Sequence, residues 1–139
     1  MLTIPKTLWD IIIAHCQSRY PKEACGLLAG GKGQGTGGEG AVVAVYPMTN
    51  VEDSPIGYAM DPNEQLLIEK QMRQRGQRLL GIYHSHTASA AYPSSVDVGL
   101  AISPEVSYVL VSLQDRLHPS LKSYRIDGTI VTPEEVVQV

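Results

Sequence analysis

The chain has 139 residues, 43% of them hydrophobic, which is long enough and apolar enough for one domain with a packed core. Its formal net charge of −3 argues against a nucleic-acid binder held by a basic face. Two cysteines are too few for a disulfide framework. Cys16 and Cys25 both lie among apolar residues, so the sequence predicts buried free thiols.

Neither a targeting leader nor a membrane span is indicated by the apolar pattern. Residues 1–6 show no charged leader followed by an apolar run and a cleavage site. No apolar stretch approaches the roughly 20 residues that span a bilayer. We therefore expect a single domain over residues 1–139, located in the cytoplasm, with no membrane or nucleic-acid partner.

The first part of the chain predicts a helix and two strands. Apolar residues at helical spacing predict a helix over residues 7–20, which Pro21 ends. Residues 23–29 and 41–46 have the apolar runs of strands. The seven glycines within residues 30–40 predict a flexible tip between these strands. A phosphate-binding loop is disfavoured because the Gly-x4-Gly-Lys-Ser/Thr pattern is missing and no helix start follows.

The middle of the chain alternates strands and helices. Residues 50–55 form a polar turn, and residues 56–60 predict a short strand. Asp61-Pro62-Asn63-Glu64 is typical of a helix start, and this helix is predicted to reach about residue 76. Residues 79–86 predict an apolar strand. A short helix is then predicted over residues 94–102.

The C-terminal part predicts strands over residues 106–113, 121–126 and 129–131. Asp127-Gly128 indicates a hairpin turn between the last two, and residues 132–135 indicate a final short turn. This mixed order predicts an α+β or mixed α/β fold, in which helices pack on a curved, partly antiparallel sheet.

A candidate metal site lies between His84 and Asp97. Side chains at i and i+2 of a strand point to the same face, so His84 and His86 project together, with Cα atoms roughly 6 to 7 Å apart. Two imidazoles at that separation can converge on one ion. Asp97 falls in the first turn of the helix that begins at Ser94, and it offers a carboxylate oxygen. Three protein ligands leave one position open, as in catalytic zinc sites.

Each of these residues also has an ordinary structural explanation. Two histidines on one strand face can simply pack, and Ser94 with Asp97 is typical of a helix-capping pair, although capping and ligation can coexist. Glu23 is the candidate acid/base, because the mouth of an apolar strand favours a raised pKa. Taken alone, it is more typical of an exposed glutamate at a strand start. A Ser-His-Asp hydrolase is conceivable, but no Gly-x-Ser-x-Gly elbow is present.

The spacing His84-x-His86, seven residues, Ser94, two residues, Asp97 resembles the signature of the JAMM (MPN-plus) zinc metalloproteases. Residues 21–28 look like the family's first strand, which carries its catalytic acid. The resemblance implies a JAMM/MPN (cytidine-deaminase-like) fold with a curved, mainly antiparallel sheet flanked by helices. It implies that His84, His86 and Asp97 are zinc ligands. It also implies that Glu23 is the general acid/base that orients a zinc-bound water, and that Ser94 donates a hydrogen bond to the oxyanion.

The same resemblance implies a substrate class. Members hydrolyse amide and isopeptide bonds, often just after the C-terminal Gly-Gly of ubiquitin-like proteins. Residues 58–62 and 124–128 are similar to small bacterial members, and the chain lacks the long insertions with which eukaryotic members grip ubiquitin. A ubiquitin-like sulfur-carrier protein is therefore the expected substrate, and its tail is predicted to add as a strand to an exposed sheet edge beside the zinc.

Two other functions stay open. A non-catalytic MPN-type scaffold would bind partners, but such scaffolds typically lose ligands, and none of the candidate ligands is lost in this sequence. A RadC-like, DNA-repair-associated protein has a similar His-x-His…Ser-x-x-Asp segment. The acidic balance of this chain disfavours that alternative.

Overall fold

A computed structural model describes residues 1–31 and 40–139 of the chain. In chain order, its helices and strands are β1 (Leu2–Ile4), α1 (Lys6–Arg19), β2 (Cys25–Gly31), β3 (Gly40–Met48), α2 (Pro62–Gln74), β4 (Gln77–His86), α3 (Ser95–Leu100), β5 (Ser107–Ser112), β6 (Ser120–Asp127), β7 (Ile130–Glu134) and β8 (Val136–Gln138). Most of the predicted glycine-rich tip, residues 32–39, lies outside the described residues. Within the described ranges, no helix combines the length and the apolar character needed to cross a membrane.

One mixed sheet organises the fold, with the strand order β7-β6-β5-β4-β2-β3-β1-β8. Four of the seven neighbouring pairs among the described strands are antiparallel, and β1–β3, β1–β8 and β4–β5 are parallel. Strands β7 and β8 lie at opposite edges, yet only Glu135 separates them along the chain. The sheet must therefore curl until its two edges are close. The predicted curved, mainly antiparallel sheet is confirmed.

Helices cover both faces of the sheet because the central strands are apolar on both sides. Helix α1 buries Ile12 and Cys16 against Leu28 and Tyr83 on one face. On the other face, α2 and α3 pack their apolar side chains around Ile82. Since side chains alternate along β4, His84 and His86 share the face of Ile82, whereas Tyr83 and Ser85 face α1. The two histidines thus lie under α3.

Two predicted elements are wrong. Residues 56–60 form no strand, and only Met60 makes an isolated bridge, to Asn50. Ile56 is 89% exposed, whereas Tyr58 and Met60 pack against the apolar cluster around Ile82, so side-chain contacts rather than strand pairing hold most of this segment on the sheet. The predicted final turn is replaced by β7, which pairs with β6, and by β8, which pairs with β1. Strand β1 was not predicted, because three residues are too few to establish a period.

The remaining elements agree with the prediction in kind and shift mainly at their ends. The hairpin at Asp127-Gly128 is present, with Gly128 at φ +61°, a backbone conformation that glycine adopts without strain. Cys16 and Cys25 are free and buried, as predicted.

Candidate metal centre

The candidate ligands meet where the central strand β4 ends and α3 begins. His84 and His86 lie in β4, which is paired on both sides, with β2 and with β5. Ser94 caps α3. Its Oγ accepts from the backbone N–H of Asp97 at 3.1 Å, and Asp97 Oδ2 accepts from the backbone N–H of Ser94 at 2.8 Å. The capping pair considered as an alternative is therefore present, and it orients the Asp97 carboxylate toward the two imidazoles.

The donor atoms of these side chains have the spacing of a small cation site. The Nε2 atoms of His84 and His86 are 3.2 Å apart. Asp97 Oδ1 lies 3.2 Å from His84 Nε2, and Asp97 Oδ2 lies 3.0 Å from His86 Nε2. Ligand atoms about 2.0 Å from a tetrahedral ion lie about 3.3 Å from one another. The two histidines and the aspartate therefore could hold a metal ion with little rearrangement.

The position of the proton on His86 also favours a cation between these side chains. His86 Nδ1 donates to the carbonyl oxygen of Ala90 at 3.0 Å, because a carbonyl only accepts. In a neutral imidazole, the Nε2 atom then carries a lone pair, and this lone pair faces the oxygens of Asp97 and the Nε2 atom of His84. Lone pairs and a carboxylate repel one another unless a cation, either a proton or a metal ion, lies between them.

The charge states of His84, His86 and Asp97 follow from their burial and their hydrogen bonds. Burial lowers the pKa of His84 and outweighs the opposing effect of Asp97. Burial also disfavours charge on His86, but its hydrogen bonds with Asp97 and Ala90 raise its pKa overall. The pKa of Asp97 would be raised by burial, yet hydrogen bonds from both histidines hold it well below its usual range. Asp97 is therefore ionised, as a metal ligand must be.

Glu23 lines the same cavity as His86, Ser94 and Asp97. It is only 6% exposed, so the alternative of an exposed glutamate at a strand start is wrong. Burial raises the pKa of Glu23 to about 7; His86 opposes this shift, and Asp97 and Glu52 add to it. A carboxyl group with a pKa near neutrality can both accept and release a proton.

Asn50, which was predicted only as part of a polar turn, holds Glu23 in place. Its amide nitrogen donates to the carbonyl oxygens of Glu23 and Gly57, both at 3.0 Å. Its amide oxygen accepts from the backbone N–H groups of Glu52 at 3.1 Å and of Ala59 at 3.0 Å. This buried side chain thus ties the start of β2 to the loop at residues 51–59. An asparagine in a polar turn has no local signal for such a role.

Tyr58 was also missed as a site residue. Its ring stacks on His84 with centroids 4.5 Å apart and planes at 28°. The cavity beside this pair measures about 360 Å³. Its rim is apolar: Ile56 lies in the loop before Tyr58, and Val96 and Leu100 lie on the exposed side of α3.

The predicted sheet edge beside the metal site is wrong. Strand β4 has paired neighbours on both sides, and the free edges of the described sheet are β7 and β8. A ligand would therefore reach the site through the cavity at the strand ends, between the loop at residues 51–59 and α3. The local pattern could not reveal this, because strand order depends on pairing between distant parts of the chain.

Known proteins resemble the chain over its length. The family described as prokaryotic homologs of the JAB domain matches residues 5–127. The CysO-cysteine peptidase of Mycobacterium tuberculosis H37Rv is 43% identical over 136 residues, which cover 98% of this chain and 90% of that protein. A desampylase of Haloferax volcanii is 33% identical over 113 residues, which cover 78% of each chain.

Solved structures agree. The solution structure of a Desulfitobacterium hafniense protein, 39% identical, covers 100% of this chain and 93% of its own, with a TM-score of 0.87. The crystal structure of a JAB1/MPN domain protein from Archaeoglobus fulgidus is 21% identical and covers 98% of this chain and 99% of its own. Its TM-score is 0.58, so the two proteins share the fold. The chain therefore belongs to the prokaryotic JAB-domain (JAMM/MPN) family.

Proposed function

We propose that the protein is a zinc-dependent metallo-(iso)peptidase that hydrolyses the amide bond after the C-terminal Gly-Gly of a ubiquitin-like or sulfur-carrier protein. One observation carries this proposal: two imidazole nitrogens and an ionised carboxylate lie 3.0 to 3.2 Å apart, and two of these groups, His86 and Asp97, line a cavity together with Glu23. The names of the relatives, a CysO-cysteine peptidase and a desampylase, support hydrolysis of such a bond.

His84, His86 and Asp97 would hold the zinc ion. Two nitrogens and one oxygen suit zinc better than magnesium or calcium, which prefer oxygen ligands alone. When bound, zinc would supply Lewis-acid polarisation of the substrate carbonyl and a lowered pKa for the attacking water. The carbonyl of Ala90 keeps the His86 proton on Nδ1, so that Nε2 stays free to ligate.

Glu23 would act as the general base and then as the general acid. Its carboxylate takes the proton of the attacking water, and the carboxylic acid so formed gives a proton to the leaving amine. Its raised pKa suits both steps, because the group is neither too weak a base nor too weak an acid near neutrality. The backbone N–H of Glu23 donates to Ser54 at 2.8 Å, which helps to hold the residue at the cavity.

Ser94 would donate its hydroxyl hydrogen to the oxyanion that develops on the substrate carbonyl. The cap uses a lone pair of Oγ, which accepts from the backbone N–H of Asp97, and this leaves the O–H group available. Ser94 also lines the cavity. Capping and catalysis therefore use different parts of one hydroxyl group.

The proposal is tested by offering the purified protein small Gly-Gly-ending proteins that carry a C-terminal extension or a lysine isopeptide. We expect mass spectrometry to show carriers cut directly after Gly-Gly, with one water added across the bond. A matched carrier whose Gly-Gly is replaced by Val-Val should resist cleavage. Intact carriers after incubation with zinc-loaded protein would reject the proposal and favour a non-catalytic scaffold.

Substitutions of Ser94 separate its two roles. Ser94→Gly and Ser94→Ala both lose the hydroxyl group and its hydrogen bond to the backbone N–H of Asp97. Glycine at this position costs only a few tenths of a kcal/mol of stability, alanine costs about 1 kcal/mol, and Ser94→Thr keeps the hydroxyl group. We expect kcat to fall about 100- to 1,000-fold in the Gly and Ala variants alike and to be largely kept in the Thr variant.

The measurements are steady-state kinetics and chemical denaturation on the same preparations. If the Gly variant stays active while the Ala variant fails, activity follows the stability of α3, and Ser94 has no role at the oxyanion.

A further inference from the structure

The loop between His86 and Ser94 is fastened at three successive carbonyl groups. Each carbonyl oxygen accepts from one side chain, and the three donors come from the adjacent strands β5, β4 and β6. The contacts are Ser112 Oγ to Ser89 at 2.6 Å, His86 Nδ1 to Ala90 at 3.0 Å, and Tyr124 Oη to Ala91 at 2.6 Å. The central contact belongs to a candidate ligand, and the flanking contacts belong to residues with no assigned role.

The Tyr124–Ala91 contact is shielded from water, whereas the Ser112–Ser89 contact is partly buried, because Ser89 itself is exposed. Ser112 and Tyr124 are each 5% exposed, as is Ala91, which packs against Tyr124 and Leu110. The ring of Tyr92 packs edge-on against Tyr124, with centroids 5.4 Å apart. A buried carbonyl that loses its donor pays the full cost of desolvation, so the loop would shift rather than keep its position.

A shift of this loop would act on the candidate ligands from two sides. The Ala90 carbonyl orients the His86 ring and keeps the proton on Nδ1. The same loop leads to Ser94 and hence to the carboxylate of Asp97, whose two oxygens lie within 3.2 Å of both imidazoles. Neither Ser112 nor Tyr124 lines the cavity, so both act on the site only through the loop.

We propose that Ser112 and Tyr124 are positioning residues for the metal centre, because they hold the carbonyls of Ser89 and Ala91 and thereby the geometry of His86 and Asp97. This inference rests on the proposed zinc site. It predicts that removal of either hydroxyl group weakens zinc binding, although both residues lie outside the ligand set.

The test compares Tyr124→Phe and Ser112→Ala with variants that lose equally buried hydroxyl groups elsewhere. Tyr46→Phe is the matched control for tyrosine, since Tyr46 donates to Gln77 away from the loop. Ser123→Ala is the control for serine, since Ser123 donates to Glu134 at 2.7 Å. The readouts are zinc affinity, measured by competition with a chromophoric chelator, and the visible absorption spectrum of the cobalt-substituted protein.

We expect zinc to bind about tenfold more weakly to each loop variant, with an altered cobalt spectrum. Both controls should bind zinc like the wild type. Ser112→Thr keeps the hydroxyl group and should therefore keep the wild-type affinity for zinc. Wild-type affinity and spectrum in both loop variants would overturn the inference, and so would equal losses in the controls. A wild-type protein that binds zinc but cleaves no carrier would refute the proposed function and leave this inference testable by affinity.

Discussion

Glu23→Gln protein is expected to bind zinc like the wild type and to lose about 100- to 10,000-fold in kcat, the range for loss of a general acid/base. Glutamine keeps the volume and the burial of Glu23, but it neither accepts the proton of the attacking water nor returns it to the leaving amine. Kinetics on an extended Gly-Gly carrier, together with zinc content per protein, measure both effects.

Glu52→Gln is the matched control, because Glu52 also lines the cavity but is exposed. It should keep most of the activity. Since Glu52 helps to raise the pKa of Glu23, its neutralisation should move the acid limb of the pH–rate profile to lower pH. Comparable losses in the two variants would show that cavity charge, rather than proton transfer by Glu23, limits the reaction.

The wild-type protein is expected to lose activity on the acid side of its pH–rate profile. The base must be a carboxylate, so activity falls as the pH drops through the pKa of Glu23. Burial raises that pKa to about 7, and a bound cation would lower it. The acid limb is therefore expected below pH 7 in the zinc-loaded protein, and it should be absent from the residual activity of Glu23→Gln.

Removal of the metal is expected to abolish cleavage, and stoichiometric zinc should restore it. Metal binding also stabilises the fold: zinc at 1,000 times its Kd adds about 4 kcal/mol to the free energy of unfolding, if the unfolded chain does not bind it. Asp97→Asn should lose zinc and activity together, because an amide keeps the shape of the carboxylate without its charge.

A second His–Asp pair in this chain provides the control. His118 and Asp115 lie 3.1 Å apart on the exposed surface, with no third candidate ligand among the described residues. Asp115→Asn should change neither zinc content nor kcat. Elemental analysis, thermal unfolding with and without chelator, and carrier cleavage check these outcomes. Full activity of a preparation verified to be metal-free would refute the mechanism.

Local sequence signals explain why part of the site could be predicted. The period of two in a strand places His84 and His86 on one face, and the capping box at Ser94 orients Asp97. Both features depend on residues that are close in sequence. The order of apolar runs and turns was likewise sufficient for the curved mixed sheet and for most of its elements.

The rest of the site depends on contacts between distant residues. Glu23 is buried beside a loop some 30 residues later, which Asn50 and Thr87 hold by hydrogen bonds to the backbone carbonyls of Gly57 and Pro55. Its place at the mouth of an apolar strand made Glu23 a candidate, but only the family resemblance favoured it over an exposed glutamate. Tyr124 contacts a carbonyl 33 residues away, and β1 pairs with β3 and β8, which lie much later in the chain. Periodicity carries no information about such pairings.

The four hydrogen bonds of Asn50 have a consequence for redesign of the protein. Three of them hold the loop at residues 51–59 by backbone atoms, and the fourth holds the carbonyl oxygen of Glu23, while the side chain of Ile56, which also lines the cavity, is 89% exposed. We therefore expect substitutions at position 56 to leave Glu23 in place, provided that Asn50 is kept. A library at this one position would be a compact route to altered substrate selectivity.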